Sequence, residues 1–203
     1  MKKSYIHFIR HGVTEGIVKK WYYGKTDLPL IEEGVFQLNK LREEGIYPSS
    51  ENSSCYTSGM LRANQTFEVI FKHSNYHVID DLREMDFGSW ECKTFDELKS
   101  LEGFDLWIND KSGDFTFPEG DSPLSFQNRV SKGLSRLLAN HFEQDRTTSK
   151  TSSIIVCHGG VIASCMRILL GEPSKDFWSW IPGPGRGYTV YFEDEKAVGY
   201  DKI

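Results

Sequence analysis

Apolar residues arrive along this chain in short runs that switch between two periods. The run YIHFI (5–9) has the length and β-rich content of a strand. In EEGVFQLNKLREEGI (32–46), Val35, Leu38 and Leu41 lie near one face with charges on the other, which predicts an amphipathic helix. SSCYTS (53–58) predicts a strand, GMLRANQTFEVIFKH (59–73) a helix, and YHVID (76–80) a third strand. No period is sustained from 85 to 120, apart from one helical piece in TFDELKSLEGFDLWIND. A long helix is expected over 122–144, with Ser122 or Asp121 as its N-cap and Pro123 as its first residue. The β-branched run SSIIVC reads as a buried strand that breaks at His158-Gly159-Gly160, before a helix over 161–171 that Gly171 can cap. A turn-rich WIPGPGRG and a hairpin of YTVYFE and AVGYDK close the chain. Strands alternating with helices imply an α/β fold of three layers, α/β/α, around a mostly parallel central sheet; the hairpin adds at least one antiparallel strand. The expected organisation is a single domain over 1–203 with a lid-like insertion at about 85–120.

Composition narrows the field. The 203 residues carry 24 basic and 29 acidic side chains, a net charge of −5, which argues against a broad nucleic-acid surface but permits a local basic pocket. Charged residues at 26% and hydrophobic ones at 38% are ordinary for a water-soluble protein. Cys55, Cys92, Cys157 and Cys165 form no CxxC pair and have no histidine at zinc-finger spacing, so they read as reduced thiols. The basic start, MKKSYIHFIRHG, has too short an apolar run for a signal peptide, and no stretch approaches the ~18 apolar residues of a membrane span. The expectations are a cytoplasmic monomer or homodimer with no membrane and no nucleic-acid partner.

The chemistry concentrates at strand ends. His11 ends one strand and His158 another, and each is followed by glycine. In open α/β sheets ligands sit beyond the carboxyl ends of the strands, so adjacent strands would bring both imidazoles to one rim. Arg10 arrives with the first, and Arg62, in the opening turn of the helix after the second strand, can reach the same rim. Two arginines and two histidines around one point suit a dianion, and guanidinium binds phosphate oxygens bidentately. Alone, His158 reads as a core histidine, Arg62 as a helix-surface charge and Glu84 as a solvated carboxylate; only their joint occurrence points to a site. His7, His73, His77 and His141 match no motif, and Arg186 in GPGRG reads as an exposed turn.

RHG near the start, GKTDLPL, SGMLRANQT, LREMDFGSWE and CHGGVI, in that order over nearly the whole chain, resemble the histidine phosphatases, a superfamily that also contains the cofactor-dependent phosphoglycerate mutases. The resemblance implies the phosphoglycerate mutase-like fold. It also implies a small-molecule phosphate ester as substrate, with neither metal nor cofactor. By that likeness His11 is the nucleophile, Arg10, Arg62 and His158 hold the phosphoryl oxygens, and Glu84 is the general acid and base. Thr14, Tyr23, Gly24 and Gly159 join them as substrate-binding positions. Three positions depart from the family's pattern: Val13, Ile17 and Trp21 stand where Glu, Asn and Arg are usual.

Residues 85–117 hold three lysines, no arginine, eight acidic residues and seven aromatics, a poor field for the trianion a phosphoglycerate mutase must hold. A phosphatase is therefore expected in preference to a mutase, and the occupation of all five catalytic positions counts against an inactive phosphate-binding regulatory module. Within the phosphatases the pattern is most similar to the alpha-ribazole phosphatases, in the aromatic WYYG, in EMDFGSWE and in PEGDSPLSFQNRV. That similarity implies a substrate with an aromatic base on a ribose phosphate, on which Tyr22, Trp107 or Phe115 would stack.

Overall fold

A computed structural model describes residues 3–72, 74–148, 150–171 and 176–203; His73 lies outside them. In chain order the elements are β1 (Lys3–Arg10), α1 (Glu15–Val18), β2 (Trp21–Tyr22), α2 (Glu32–Glu43), β3 (Ser53–Thr57), α3 (Leu61–Phe71) and β4 (His77–Val78). There follow β5 (Lys93–Thr94), α4 (Phe95–Leu98), α5 (Phe104–Ile108), α6 (Pro123–Thr148), β6 (Ser152–Cys157), α7 (Gly159–Leu170), β7 (Gly187–Glu193) and β8 (Lys196–Lys202). Six strands form the central sheet in the order β4-β3-β6-β1-β7-β8. The pairs β3–β4, β3–β6 and β1–β6 are parallel, whereas β1–β7 and β7–β8 are antiparallel.

Alternation along the central strands divides the core in two. Ile6 and Phe8 of β1 and Ile155 and Cys157 of β6 face Phe126, Val130 and Leu134 of α6 and Val161 and Cys165 of α7. Ile9, Ile154 and Val156 face the other way, onto Leu38 of α2 and Ala63, Phe67 and Ile70 of α3. Helices therefore cover both faces of a mostly parallel sheet, the three-layer architecture read from the sequence.

Several boundaries differ from the periodic reading. Gly45 and Gly171, both with left-handed φ (71° and 60°), close α2 and α7, so α2 stops short of residue 46 while α7 ends as expected. The strand expected over 76–80 contracts to His77–Val78, because it is a solvent-exposed edge and the chain turns at once into a 3-10 turn, Asp80–Leu82. Pro123 opens α6 as expected, and Ser122 caps it by accepting the Ser125 N–H at 3.0 Å; the helix then continues to Thr148. The helical piece within 85–120 is two short helices, separated where Gly103 takes a φ of 87°. Unforeseen is a second sheet, in which β2 pairs antiparallel with β5 and ties the WYYG segment to the insertion. The insertion has its own small core of Trp90, Leu98 and Phe117, with Phe87, Trp107 and Phe115 packed around it.

Candidate active site

Arg10 of β1 stands in parallel register with Cys157 of β6, so the next residues, His11 and His158, leave the sheet side by side. Their ring centroids are 5.3 Å apart. The His11 N–H bonds the Cys157 carbonyl at 3.0 Å, which fixes the chain just where the strand ends. One ring nitrogen of His11, Nδ1, lies 2.8 Å from the Gly12 carbonyl oxygen. A carbonyl only accepts, so Nδ1 carries the hydrogen and Nε2 keeps a free lone pair. Burial, and then the charges of Arg62 and Arg10, hold the His11 pKa well below the ordinary imidazole value. The ring is therefore neutral at neutral pH.

His158 is fixed by a different device. Its Nε2 lies 2.8 Å from Ser58 Oγ, and that oxygen also accepts the Met60 N–H at 3.4 Å. With the hydrogen of His158 on Nδ1, the Ser58 hydroxyl donates to Nε2 while its oxygen accepts from Met60. Burial and the neighbouring Arg62 and His11 keep this ring neutral as well.

Arg62 is 0% exposed at the start of α3. Its Nη2 donates to the Gly24 carbonyl at 2.8 Å and its Nη1 to the Thr26 carbonyl at 3.1 Å, while Asp27 lies 3.3 Å from Nη1. Its guanidinium sits 5.0 Å from the Tyr23 ring centre. Arg10 Nη1 donates to the Pro182 carbonyl at 2.8 Å. Burial disfavours the charge on both guanidiniums. Among the described residues, Arg10 Nε, Arg62 Nε and His158 Nδ1 are buried with no hydrogen-bond partner. Such a group costs about 1–3 kcal/mol if left unpaired; Arg10 and Arg62 border the same cavity as His11, and the His158 ring lies against the His11 ring.

Glu84 is held above this floor. One carboxylate oxygen accepts the Gly160 N–H at 2.9 Å and the other accepts its neighbour Met85's N–H at 3.0 Å. A Cβ on Gly160 would lie 2.6 Å from the carboxylate, so only glycine lets the group come this close. Gly24 is under the same constraint, since a Cβ there would meet the Met85 carbonyl oxygen at 1.6 Å.

A cavity of about 310 Å³ opens on these groups. Arg10, His11, Tyr23, Arg62, Glu84 and Gly159 border it; Thr14, Gly24 and His158 do not. Thr14 is fully buried and bonds the Tyr23 hydroxyl, and Gly24 contributes its carbonyl to Arg62. Trp21, Tyr22, Phe87 and Trp107 form an aromatic wall, with Tyr22 and Trp107 edge to face at 5.4 Å. Phe115 is elsewhere: it packs on Trp90 and Phe117 inside the insertion, which withdraws it as a stacking surface. Val13 does not border the cavity, and Arg186 is exposed away from it. The sequence reading missed Ser58, Glu91, Ser164 and Arg167. Ser58 and the two histidines share one signal, since each is the first residue after a strand.

The family model described as histidine phosphatase superfamily (branch 1) matches residues 6–199. The adenosylcobalamin/alpha-ribazole phosphatase of Salmonella typhimurium is 28% identical over 174 residues, which cover 84% of this chain and 81% of that protein. A Proteus mirabilis protein named "Probable phosphoglycerate mutase GpmB" is also 28% identical over 174 residues, covering 83% of this chain and 76% of its own length. Among solved structures, the alpha-ribazole phosphatase from Shigella flexneri aligns with a TM-score of 0.78 at 24% identity, over 95% of this chain and 93% of its own. A phosphoglycerate mutase from Thermus thermophilus aligns at 0.66 with 26% identity, over 97% of each chain.

Proposed function

Since the chain belongs to the histidine phosphatase superfamily, branch 1, we propose that it is a metal-independent phosphomonoesterase that works through a phosphohistidine at His11. The observation that carries this is a neutral imidazole with a free Nε2 that borders one cavity with Arg10 and Arg62, whose buried Nε–H groups have no partner among the described residues. A phosphoryl group docked there meets Arg10 and Arg62, with His158 packed against the His11 ring. The arginines supply the positive charge that phosphoryl transfer requires.

In the first step His11 Nε2 attacks phosphorus, the N–P bond forms and the P–O ester bond breaks, and Glu84 gives its proton to the departing alkoxide. In the second, water attacks the phosphohistidine and Glu84 takes the water's proton. The N–P bond breaks, releasing inorganic phosphate and neutral His11. The Gly160 and Met85 amides hold the carboxyl of Glu84 beside the leaving group in both steps. The aromatic wall supports an alcohol with a flat, apolar portion, such as the alpha-ribazole named for the Salmonella relative.

The test is hydrolysis of p-nitrophenyl phosphate and of a panel that includes alpha-ribazole phosphate and 3-phosphoglycerate. Turnover by the wild type, abolished in His11→Ala together with the acid-labile phosphoenzyme, supports the reading. Wild-type rates no higher than those of His11→Ala across the panel overturn it. Stimulation of 3-phosphoglycerate isomerisation by 2,3-bisphosphoglycerate would identify a mutase instead.

A further inference from the structure

The proposed reaction uses Arg10, His11, Arg62, Glu84 and His158 and leaves Arg167 without a task. Helix α7 turns Gly160, Ser164 and Arg167 to the cavity at positions i, i+4 and i+7. At 1.5 Å per residue, Arg167 lies about 10 Å farther along the helix axis than the amide that holds Glu84. There a second cavity of about 250 Å³ adjoins the first, and Gln127, Ser164, Arg167 and Phe177 border both. Ser164 is only 4% exposed, and its hydroxyl has no hydrogen-bond partner among the described residues. The Arg167 guanidinium likewise makes no ion pair or hydrogen bond among the described residues. Arg10, Arg62 and Arg167 are the cations that border the main cavity, and Glu84 is its one acid among the described residues.

We infer that Gln127, Ser164 and Arg167 form a subsite for a second anionic group, a carboxylate or a phosphate, at the far end of the substrate's alcohol. This deepens the phosphomonoesterase reading and rests on it. A guanidinium takes either anion bidentately, and a buried hydroxyl left unpaired is costly until an acceptor reaches it. The separation along the helix axis is about 10 Å. A body of roughly six carbons, at ~1.5 Å per bond, spans it. The cation absent from the insertion is thus supplied by the opposite wall of the cavity.

Hexyl phosphate, 6-phosphonooxyhexanoate and 1,6-hexanediol bisphosphate test the inference. Wild-type kcat/KM should be at least tenfold higher for the two doubly anionic esters than for hexyl phosphate, and the stronger of them identifies the anion. Arg167→Ala should lower that ratio at least tenfold, Arg167→Lys should restore part of it, and Ser164→Ala should lower it by a smaller factor. The same ratio in wild type and Arg167→Ala overturns the subsite. Calorimetry in a His11→Ala background reads the subsite without turnover: the acid should bind at least tenfold more tightly than hexyl phosphate, and adding Arg167→Ala should erase the difference. Equal affinities overturn the subsite. The affinity difference without hydrolysis of any ester upholds the subsite and overturns the esterase.

Discussion

His11 is prepared by influences on separate parts of its ring: the Gly12 carbonyl fixes the hydrogen on Nδ1, while burial and two guanidiniums keep Nε2 unprotonated. Nitrogen NMR of the phosphate-free protein at pH 6.5, where a free imidazole is half protonated, should therefore find His11 neutral with hydrogen on Nδ1. A half-titrated ring would refute this. Glu84→Gln removes the proton donor but keeps an acceptor oxygen for the Gly160 amide. It should slow alkyl phosphates far more than p-nitrophenyl phosphate, whose leaving group needs little protonation; equal slowing would take Glu84 out of the acid role. Ser58→Ala removes the hydroxyl that bonds His158 Nε2 and leaves that nitrogen free to take the hydrogen. The expected loss in kcat/KM is about tenfold, and Tm should fall by several degrees because the buried His158 Nε2 loses its partner. At this scale the sequence was most legible, because a strand end followed by glycine marks His11 and His158. Ser58 follows a strand too, but serine is common after strands, and only the hydrogen bond to His158 gives it a role.

Glu91 binds two elements that sequence periodicity cannot relate. Its carboxylate accepts the N–H groups of Gly24, Lys25, Thr26 and Phe87 at 2.9 to 3.2 Å. The Gly24 and Thr26 carbonyls of that loop in turn hold Arg62. Glu91→Ala should lower stability by roughly 2–4 kcal/mol, because four N–H groups lose a charged acceptor. It should also raise KM as Arg62 loses its anchors. Thermal melts and steady-state kinetics check both effects, and an unchanged KM would disconnect the loop from the site. The strands and helices of the three-layer body were readable because each carries its own period. The β2–β5 ladder was not, since two residues on each side give no period and their pairing joins positions about seventy apart in sequence.

The whole molecule carries an acid sensitivity unrelated to catalysis. His7 bonds Thr189 and Ser152 from the middle of β1, and buried His141 of α6 bonds Ser153. Burial lowers each pKa from 6.5 to about 4. The unfolded chain takes up these protons first, so the neutral rings stabilise the fold fully above pH 6.5, and that contribution fades as the pH falls from 6.5 towards 4. For His141 the loss is roughly 3 kcal/mol, at about 1.4 kcal/mol per pH unit. Urea unfolding across this window should show a steep fall in stability that His141→Gln flattens; an equally steep fall in the variant would assign it elsewhere. Nothing in the sequence foretold this, because a histidine's burial depends on the packing of helix against sheet.

Because His11 and His158 leave adjacent strands at the same rung, neither can travel without dragging the middle of the sheet along. The reacting pair therefore inherits the stiffness of the most deeply covered strands, and adaptation to alcohols of different outline falls to the segments on the opposite bank. Transplanting residues 85–117 from another branch 1 chain should change which ester is preferred and leave the chemistry of attack intact.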